Sequence, residues 1–343
     1  MNKMKALNLH GIGDLRYEDV TVPVKNKDEV LLKIRAVGIC GSDIPRVFVK
    51  GTYNFPTIIG HEFAGEVVEA DDKTLVGRGF AVFPLIPCGK CDACTNGDYA
   101  QCADYDYYGS RRNGAMAEYL AVKVKNLCQI PNNVSFEEAA MTEPAAVAIH
   151  AFRKSGAKAN DTILIYGIGT IGLILGEWAK AAGVKNVIMV GRSEDKIEFA
   201  KKLGFPLAIN TKDLQKKVTE LTKGNGVDVC IEGTGASKAF EDCISVAKNF
   251  GTVLCMGNPL GDMKLSQDVY WKILRKELKI VGTWNSSFSS KANDWETALS
   301  AMKVGTLNLK SRITHRFGLA EYEQAFDLMK ERREMFCKVM FVG

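Results

Sequence analysis

The chain has no hydrophobic run long enough to cross a bilayer. Its most apolar stretch, Ile163 to Gly176 (ILIYGIGTIGLILG), is too short and is broken by glycines. The opening residues, MNKMKALNLHGIGD, lack the apolar segment of a secretory signal, so a soluble, cytoplasmic protein with no membrane partner is expected. No block of like charge exceeds a short run such as ERR at 331–333, and 45 basic against 40 acidic residues leave a net charge of only +5. That charge is too small and too dispersed for a nucleic-acid footprint. Neither an internal repeat nor a low-complexity linker is present. What remains is the composition of an ordinary globular protein, 46% hydrophobic and 25% charged, with 343 residues for about two domains.

Cysteine, by contrast, is plentiful. Ten cysteines behind no secretory signal point to metal binding or burial, not disulfides. Cys128, Cys230, Cys243, Cys255 and Cys337 sit in apolar stretches and read as small core hydrophobes. Cys88, Cys91, Cys94 and Cys102 form C-x2-C-x2-C-x7-C within PCGKCDACTNGDYAQC. A cluster of this kind suits a DNA-reading zinc module, an iron–sulfur loop or a structural zinc clamp. Cys40 stands apart.

The texture of the chain changes once. Residues 1–145 are rich in Gly, Pro, Val and Ile, with short runs such as EVLLKIR (29–35) and GEVVE (65–69) that read as strands of an irregular, mostly antiparallel domain. From Asp161 strands and helices alternate. DTILIYG, KNVIMVG, LAIN, VDVCIEG and TVLCMG are strands, and IGLILGEWAKAAG, SEDKIEFAKKLG, DLQKKVTELTKG and ASKAFEDCISVAKNFG are helices. That alternation predicts an α/β fold with a Rossmann-type, doubly wound parallel sheet over residues 146–285. The tail, with two amphipathic helices around ITHRF and a final strand in CKVMFVG, is expected to return to the first domain. The β-rich domain then comprises 1–145 and 286–343, with the cysteine lobe at about 86–104.

Gly167-Ile168-Gly169-Thr170-Ile171-Gly172 is G-x-G-x-x-G between a predicted strand and a predicted helix, the context that makes the motif specific for a dinucleotide. The first glycine permits the turn, the second lets backbone approach a pyrophosphate, and the third lets helix and strand pack closely. An NAD-type unit carries an acid about 20 residues on, at the end of the second strand. Here that position is Gly191, followed by Arg192 and Ser193, with Lys196 one turn into the next helix. Glycine leaves room for a 2′-phosphate and the two basic side chains can meet it, which favours NADP over NAD. Arg192 pointing to solvent in an NAD enzyme is the alternative. Glu194 and Asp195 read as first-turn acids after a Ser193 N-cap.

A coenzyme domain needs a reaction partner. GICGSD (38–43) and GHE (60–62) place Cys40 and His61 in turn-like sequence on different segments. A thiolate, an imidazole and a carboxylate make a zinc site with an open position, at which a substrate hydroxyl becomes acidic enough to be oxidised.

In their order and spacing, GICGSD, GHEFAG, the cysteine cluster and GIGTIG resemble the zinc-dependent medium-chain dehydrogenases, over essentially the whole chain. The resemblance implies a GroES-like N-terminal catalytic domain, and one catalytic and one structural zinc per chain. Cys88, Cys91, Cys94 and Cys102 would hold the structural zinc. Four thiolates close a zinc's coordination, and the ferredoxin pattern would continue C-x3-C-P where this chain has x7 and Ala103. Thr142-Glu143-Pro144 resembles the polyol branch, which makes Glu143 the third catalytic ligand beside Cys40 and His61, although an acid before Pro144 also suits a helix N-terminus. Glu62 resembles the acid next to the metal, and Ser42 the hydroxyl that begins a proton relay. His150 and His315 read as structural. SDIPR, PLIPC, YDYYGSRRNG, ILRKEL and VGTWNSSF resemble polyol-phosphate members of the branch. Arg111 and Arg112 could then clamp a phosphate, or could be solvated surface arginines.

The expectation is thus a zinc-dependent NAD(P) dehydrogenase that converts a secondary hydroxyl of a sugar alcohol, or of its phosphate, to a ketone. Its partner would be the small-molecule polyol, and its assembly a homodimer or homotetramer. A threonine- or butanediol-type zinc dehydrogenase is the rival within enzymes, and a zinc-ribbon nucleic-acid binder the rival outside them.

Overall fold

The computed structural model describes residues 2–259 and 261–343. Two compact units share the chain: residues up to Ala146 together with Ser287–Gly343, and Val147–Ser286.

The central strand of the first unit is Glu29–Gly38, whose sequence EVLLKIRAVG is buried along nearly its whole length. It pairs antiparallel with Glu62–Glu69, Tyr119–Lys123 and the C-terminal strand Lys338–Val342. Further strands, Gly79–Val82, Leu127–Gln129 and Ile313–Phe317, extend this sheet, while Lys3–Gly11, Asp14–Thr21 and Thr57–Ile58 form a smaller one. The register matters for chemistry: Gly38 lies opposite Glu62 on one side and Met340 on the other. The start of one strand, the end of the second and a lysine from the tail therefore converge. Leu7, Leu9, Leu32, Ile39, Ile59, Phe63 and Phe341 pack into the core beneath them. The tail helices are Asp294–Lys303 and Tyr322–Glu331, on either side of the Ile313–Phe317 strand.

The second unit is a six-stranded parallel sheet in the spatial order Ala208–Asn210, Asn186–Gly191, Thr162–Tyr166, Val227–Glu232, Ala247–Cys255, Lys279–Gly282. In sequence terms this is 3-2-1-4-5-6, the doubly wound arrangement that leaves a crevice at the strands' carboxyl ends. The sequence predicts one helix through ASKAFEDCISVAKNFG, but the helix is Ser237–Val246 and Ala247 begins a strand. The reason lies outside the segment. Lys276 Nζ donates to the carbonyls of Ile244, Ser245 and Ala247 at 3.3, 2.8 and 2.7 Å, capping the helix end, and Ala247 pairs with Val227. Among the described residues, no helix is long and apolar enough to cross a membrane.

Candidate metal centres and coenzyme loop

The four clustered cysteines are brought together by short turns. Asp92–Thr95 makes one helical turn after Cys91, with Thr95 N–H donating to the Cys91 carbonyl at 3.0 Å, and Cys102 N–H closes a second turn on Tyr99. The sulfurs of Cys91 and Cys94 are 3.5 Å apart, those of Cys88 and Cys94 and of Cys91 and Cys102 3.8 Å, and all four lie within 4.8 Å of one another. Sulfurs at the corners of a tetrahedron about 2.3 Å from a zinc are about 3.8 Å apart. The donor set and its spacing therefore fit zinc. Backbone N–H groups of Cys94 and Ala103 pull the Cys91 thiol down to about 6, and those of Lys90 and Cys91 lower Cys88, so both favour the thiolate a metal requires. Burial pushes Cys94 up to about 12, a cost that a bound cation removes.

The second group is Cys40, His61 and Glu62, whose donor atoms lie within 4.8 Å of one another. His61 follows Gly60, which has φ +99, and the loop is locked from behind. Gly114 N–H donates to Ile58 at 2.7 Å and Ala115 N–H to Gly60 at 2.9 Å, and a Cβ on Gly114 would stand 2.2 Å from the Gly60 carbonyl oxygen. Opposite Glu62, a Cβ on Gly38 would stand 2.4 Å from the carboxylate. Glycine is thus required there for the carboxylate to enter.

Around these donors the structure assembles groups that the motif search passes over. Asp43, fully buried, accepts from the Cys40 N–H at 3.0 Å and from Arg46, and its Oδ1 is 3.7 Å from His61 Nδ1. Lys338 of the C-terminal strand is buried, donates to the Ile39 carbonyl at 3.2 Å and forms an ion pair with Glu62. Tyr107 sets its ring edge-on against His61, with centroids 5.8 Å apart. The signals were present but faint: an aspartate inside GICGSD, and a lysine in the apolar string CKVMFVG. Ser42 is half-buried, and its N–H is 3.5 Å from Cys40 Sγ. Glu143 is buried near the start of the helix Thr142–Ser155 and interacts electrostatically with His61, Glu62, Lys338 and Asp43, but stands outside the mutual 4.8 Å group. The centre fits a metal by its donor chemistry, a thiol, an imidazole and a carboxylate within mutual reach, and His61 Nδ1, 3.7 Å from Asp43, is buried with no hydrogen-bond partner among the described residues. Burial also pushes the Cys40 thiol well up and Glu143 up to about 7, as expected of anions that lack their cation.

In the other unit, Gly167 has φ +123, and a Cβ on Gly172 would lie 2.0 Å from the Gly167 carbonyl oxygen. A Cβ on Gly169 would meet nothing within 4 Å, so this backbone is open to a ligand. Gly169 is also the N-cap of the helix Thr170–Ala181, which contains Thr170, Ile171 and Gly172, and it has no side chain to cover the first-turn N–H groups. This loop fits a pyrophosphate. Gly191 ends its strand, where a Cβ would press 2.9 Å from Ile168 Cδ1. Arg192 and Ser193 are exposed, Ser193 is the N-cap of Glu194–Lys202, and Lys196 lies in its first turns. Glu194 is held at 2.5 Å by Asn210 Nδ2.

Arg111 and Arg112 are not equivalent. The Arg111 guanidinium is sandwiched 4.3 Å from the ring centroids of both Tyr53 and Tyr105. Arg112 pairs with Asp106 at 3.4 Å and lies over Tyr108. His315 bonds Thr314 Oγ1 at 2.9 Å, far from any donor cluster in sequence and tied to its own strand.

Residues 26–132 match the alcohol dehydrogenase GroES-like domain and residues 170–303 the zinc-binding dehydrogenase domain. Galactitol 1-phosphate 5-dehydrogenase of Escherichia coli (strain K12) is 35% identical over 94% of this chain and 95% of its own. D-arabitol-phosphate dehydrogenase of Enterococcus avium is 35% identical over 96% and 94%. Crystal structures agree: galactitol-1-phosphate dehydrogenase from Escherichia coli superposes with a TM-score of 0.92 at 34% identity, covering 99% of this chain and 100% of that one. A zinc-binding dehydrogenase from Sinorhizobium meliloti 1021 bound to NADP gives 0.90 at 28%, covering 100% of both chains. An Escherichia coli CFT073 alcohol dehydrogenase with NADH gives 0.91 at 28%, covering 99% of both.

Two outcomes follow from the metal geometry. Cys40→Ala should remain folded, retain one zinc and lose turnover, whereas Cys94→Ser should lower the melting temperature sharply, because a closed zinc site contributes folding free energy directly. Wild-type protein carrying a single zinc, or iron, contradicts this. The second outcome concerns pH in zinc-free protein. Between 4.5 and about 7 the folded state keeps a proton on Glu143 that the unfolded chain has released, so stability falls as pH rises through that window. The loss should be on the order of 3 kcal/mol and should disappear in Glu143→Gln. Parallel stability–pH curves for the two proteins would refute the assignment.

Proposed function

The chain belongs to the zinc-binding alcohol dehydrogenases with a GroES-like domain, and from that premise we propose that it oxidises a secondary hydroxyl of a sugar alcohol or its phosphate to the ketone, preferring NADP. The observation that carries this reading is the Cys40–His61–Glu62 group, with an orphaned histidine nitrogen beside three buried carboxylates. When bound, zinc supplies a Lewis acid that makes the substrate hydroxyl acidic, and the nicotinamide supplies the hydride acceptor. Cys40 and His61, with Glu143 or Glu62 as the carboxylate, would hold the metal. Asp43 fixes the Cys40 loop through its N–H and faces the imidazole of His61. Lys338 restrains Glu62, so the carboxylate is available only when that ion pair loosens. Ser42 would take up the hydroxyl proton.

Arg111 is the better phosphate ligand of the two arginines, since Asp106 already engages Arg112. Tyr53 and Tyr105 hold its guanidinium through their rings and through side-chain hydrogen bonds, and no carboxylate is paired with it among the described residues. NADP is favoured because Gly191 presents no carboxylate to repel a 2′-phosphate, Arg192 beside it is exposed, and Glu194 is engaged by Asn210. For assembly, Tyr270, Trp271, Leu274, Ile280 and Trp284 are exposed on or near the edge strand Lys279–Gly282. An unpaired edge amid such apolar surface suits a second copy of the chain, as homodimer or homotetramer. All ten cysteines are free thiols, which suits the cytoplasm.

A sugar-alcohol phosphate should be turned over better than its parent polyol, and Arg111→Ala should cost about 2–3 kcal/mol in kcat/KM for the phosphate alone, with Arg112→Ala costing less. Preference for the parent polyol, for threonine or for butanediol would overturn the substrate reading. On coenzyme, Arg192→Ile should raise the Kd for NADP about tenfold and leave that for NAD unchanged. Tighter binding of NAD by the wild type, with no response to Arg192→Ile, would show that Arg192 faces solvent.

A further inference from the structure

Among the described residues, Tyr107 is the one aromatic residue packed on the imidazole of His61, and its backbone is fully engaged. Its N–H donates to Asp106 Oδ1 at 2.8 Å, and its carbonyl accepts from the N–H groups of Ser110, Arg111 and Arg112 at 3.4, 3.0 and 3.2 Å. The side chain is therefore held by the turn behind it and by ring contacts with His61 and Tyr105, whose centroids lie 5.8 and 6.3 Å away. Its hydroxyl, however, has no hydrogen-bond partner among the described residues, and it is not sealed in the core either, since the residue is only half-buried. Glu143, Cys40 and Glu62 are near enough to act on it electrostatically. It is an O–H donor with nothing to donate to.

We propose that the Tyr107 hydroxyl anchors the substrate hydroxyl adjacent to the carbon being oxidised, so that the enzyme selects a vicinal diol unit over a lone secondary alcohol. This rests on the dehydrogenase reading above. The reacting oxygen is claimed by the Cys40–His61 centre, and Tyr107 flanks that centre by one ring contact. A group one carbon along a substrate would meet it. Tyr107 in turn packs on Tyr105, and Tyr105 on Arg111, so a chain of contacts links the groups in the order metal site, phenol, guanidinium. That order matches a polyol chain bearing a hydroxyl next to the reacting carbon and an anionic group at its far end. A site with a buried polar group provided for a substrate hydroxyl discriminates against the analogue that lacks it, because the protein group is then left unpaired.

The test compares butane-2,3-diol with butan-2-ol, which differ only in the adjacent hydroxyl, in wild type and Tyr107→Phe. The substitution keeps the ring against His61. For the diol, kcat/KM should fall about tenfold, mainly through KM, and calorimetric Kd for the zinc-loaded enzyme should rise by a similar factor. For butan-2-ol, kcat/KM should change less than about twofold, and the melting temperature should be retained. Equal losses on both alcohols would mean a structural role, and an unchanged diol would mean that the hydroxyl is idle; either overturns the inference while leaving the dehydrogenase standing. If wild type neither oxidises nor binds the diol while other secondary alcohols are oxidised, the inference alone falls. If no alcohol reduces either coenzyme, the dehydrogenase reading falls and takes the inference with it.

Discussion

Three carboxylates, those of Asp43, Glu62 and Glu143, are buried in one region of the first unit, beside the Cys40 thiol. Against them stand Lys338, which is buried, and Arg46, which is largely so. Burying an unbalanced charge costs several kcal/mol, and proteins avoid it by pairing, protonation or a metal. Ion pairs with Arg46 and Lys338 account for Asp43 and Glu62. Glu143 and the thiol are left, and both respond as uncompensated anions do, by holding their protons. A divalent cation resolves the imbalance at one stroke.

Much of the first unit can be understood as scaffolding for that concentration of charge. Gly38 is bare so that Glu62 can enter, and its strand register also brings in the C-terminal strand that carries Lys338. The terminal strand is therefore part of the site although nearly three hundred residues separate Lys338 from Cys40. Gly60, Gly109 and Gly114 form a backbone-on-backbone contact that leaves no room for a Cβ. Through it the turn bearing Arg111 and Tyr107 is fixed to the loop bearing His61, so the wall that would receive substrate moves with the centre. The cysteine lobe needs none of this: its four sulfurs are gathered by local turns alone, which suits a site whose contribution is to stability.

This difference between local and long-range construction decides how much could be read from the sequence. The cysteine cluster, the glycine loop and the Cys40 and His61 segments carry their geometry within a few residues, so their spacing identifies them. The parallel sheet was legible because each strand and helix shows its own period. Lys338 and Tyr107 gain their roles through register and packing, and the local signals at Asp43 and Lys338, an aspartate inside GICGSD and a lysine in an apolar string, are faint. The same holds for the helix that stops at Val246, whose cap is a lysine thirty residues on. Arg111 and Arg112 are adjacent in sequence and look interchangeable there. Only the positions of Asp106 and the two tyrosines separate a guanidinium paired with a carboxylate from one held by tyrosines alone.

The most direct measurement is anomalous diffraction at the zinc edge from crystals of the enzyme as purified. Two peaks per chain are expected, one central to Cys88, Cys91, Cys94 and Cys102, the other bordered by Cys40, His61 and one of the carboxylates of Glu62 and Glu143. A single peak at the four cysteines, with Lys338 still paired to Glu62 and no density beside Cys40, would contradict the account, because the buried carboxylates would then be balanced without a metal.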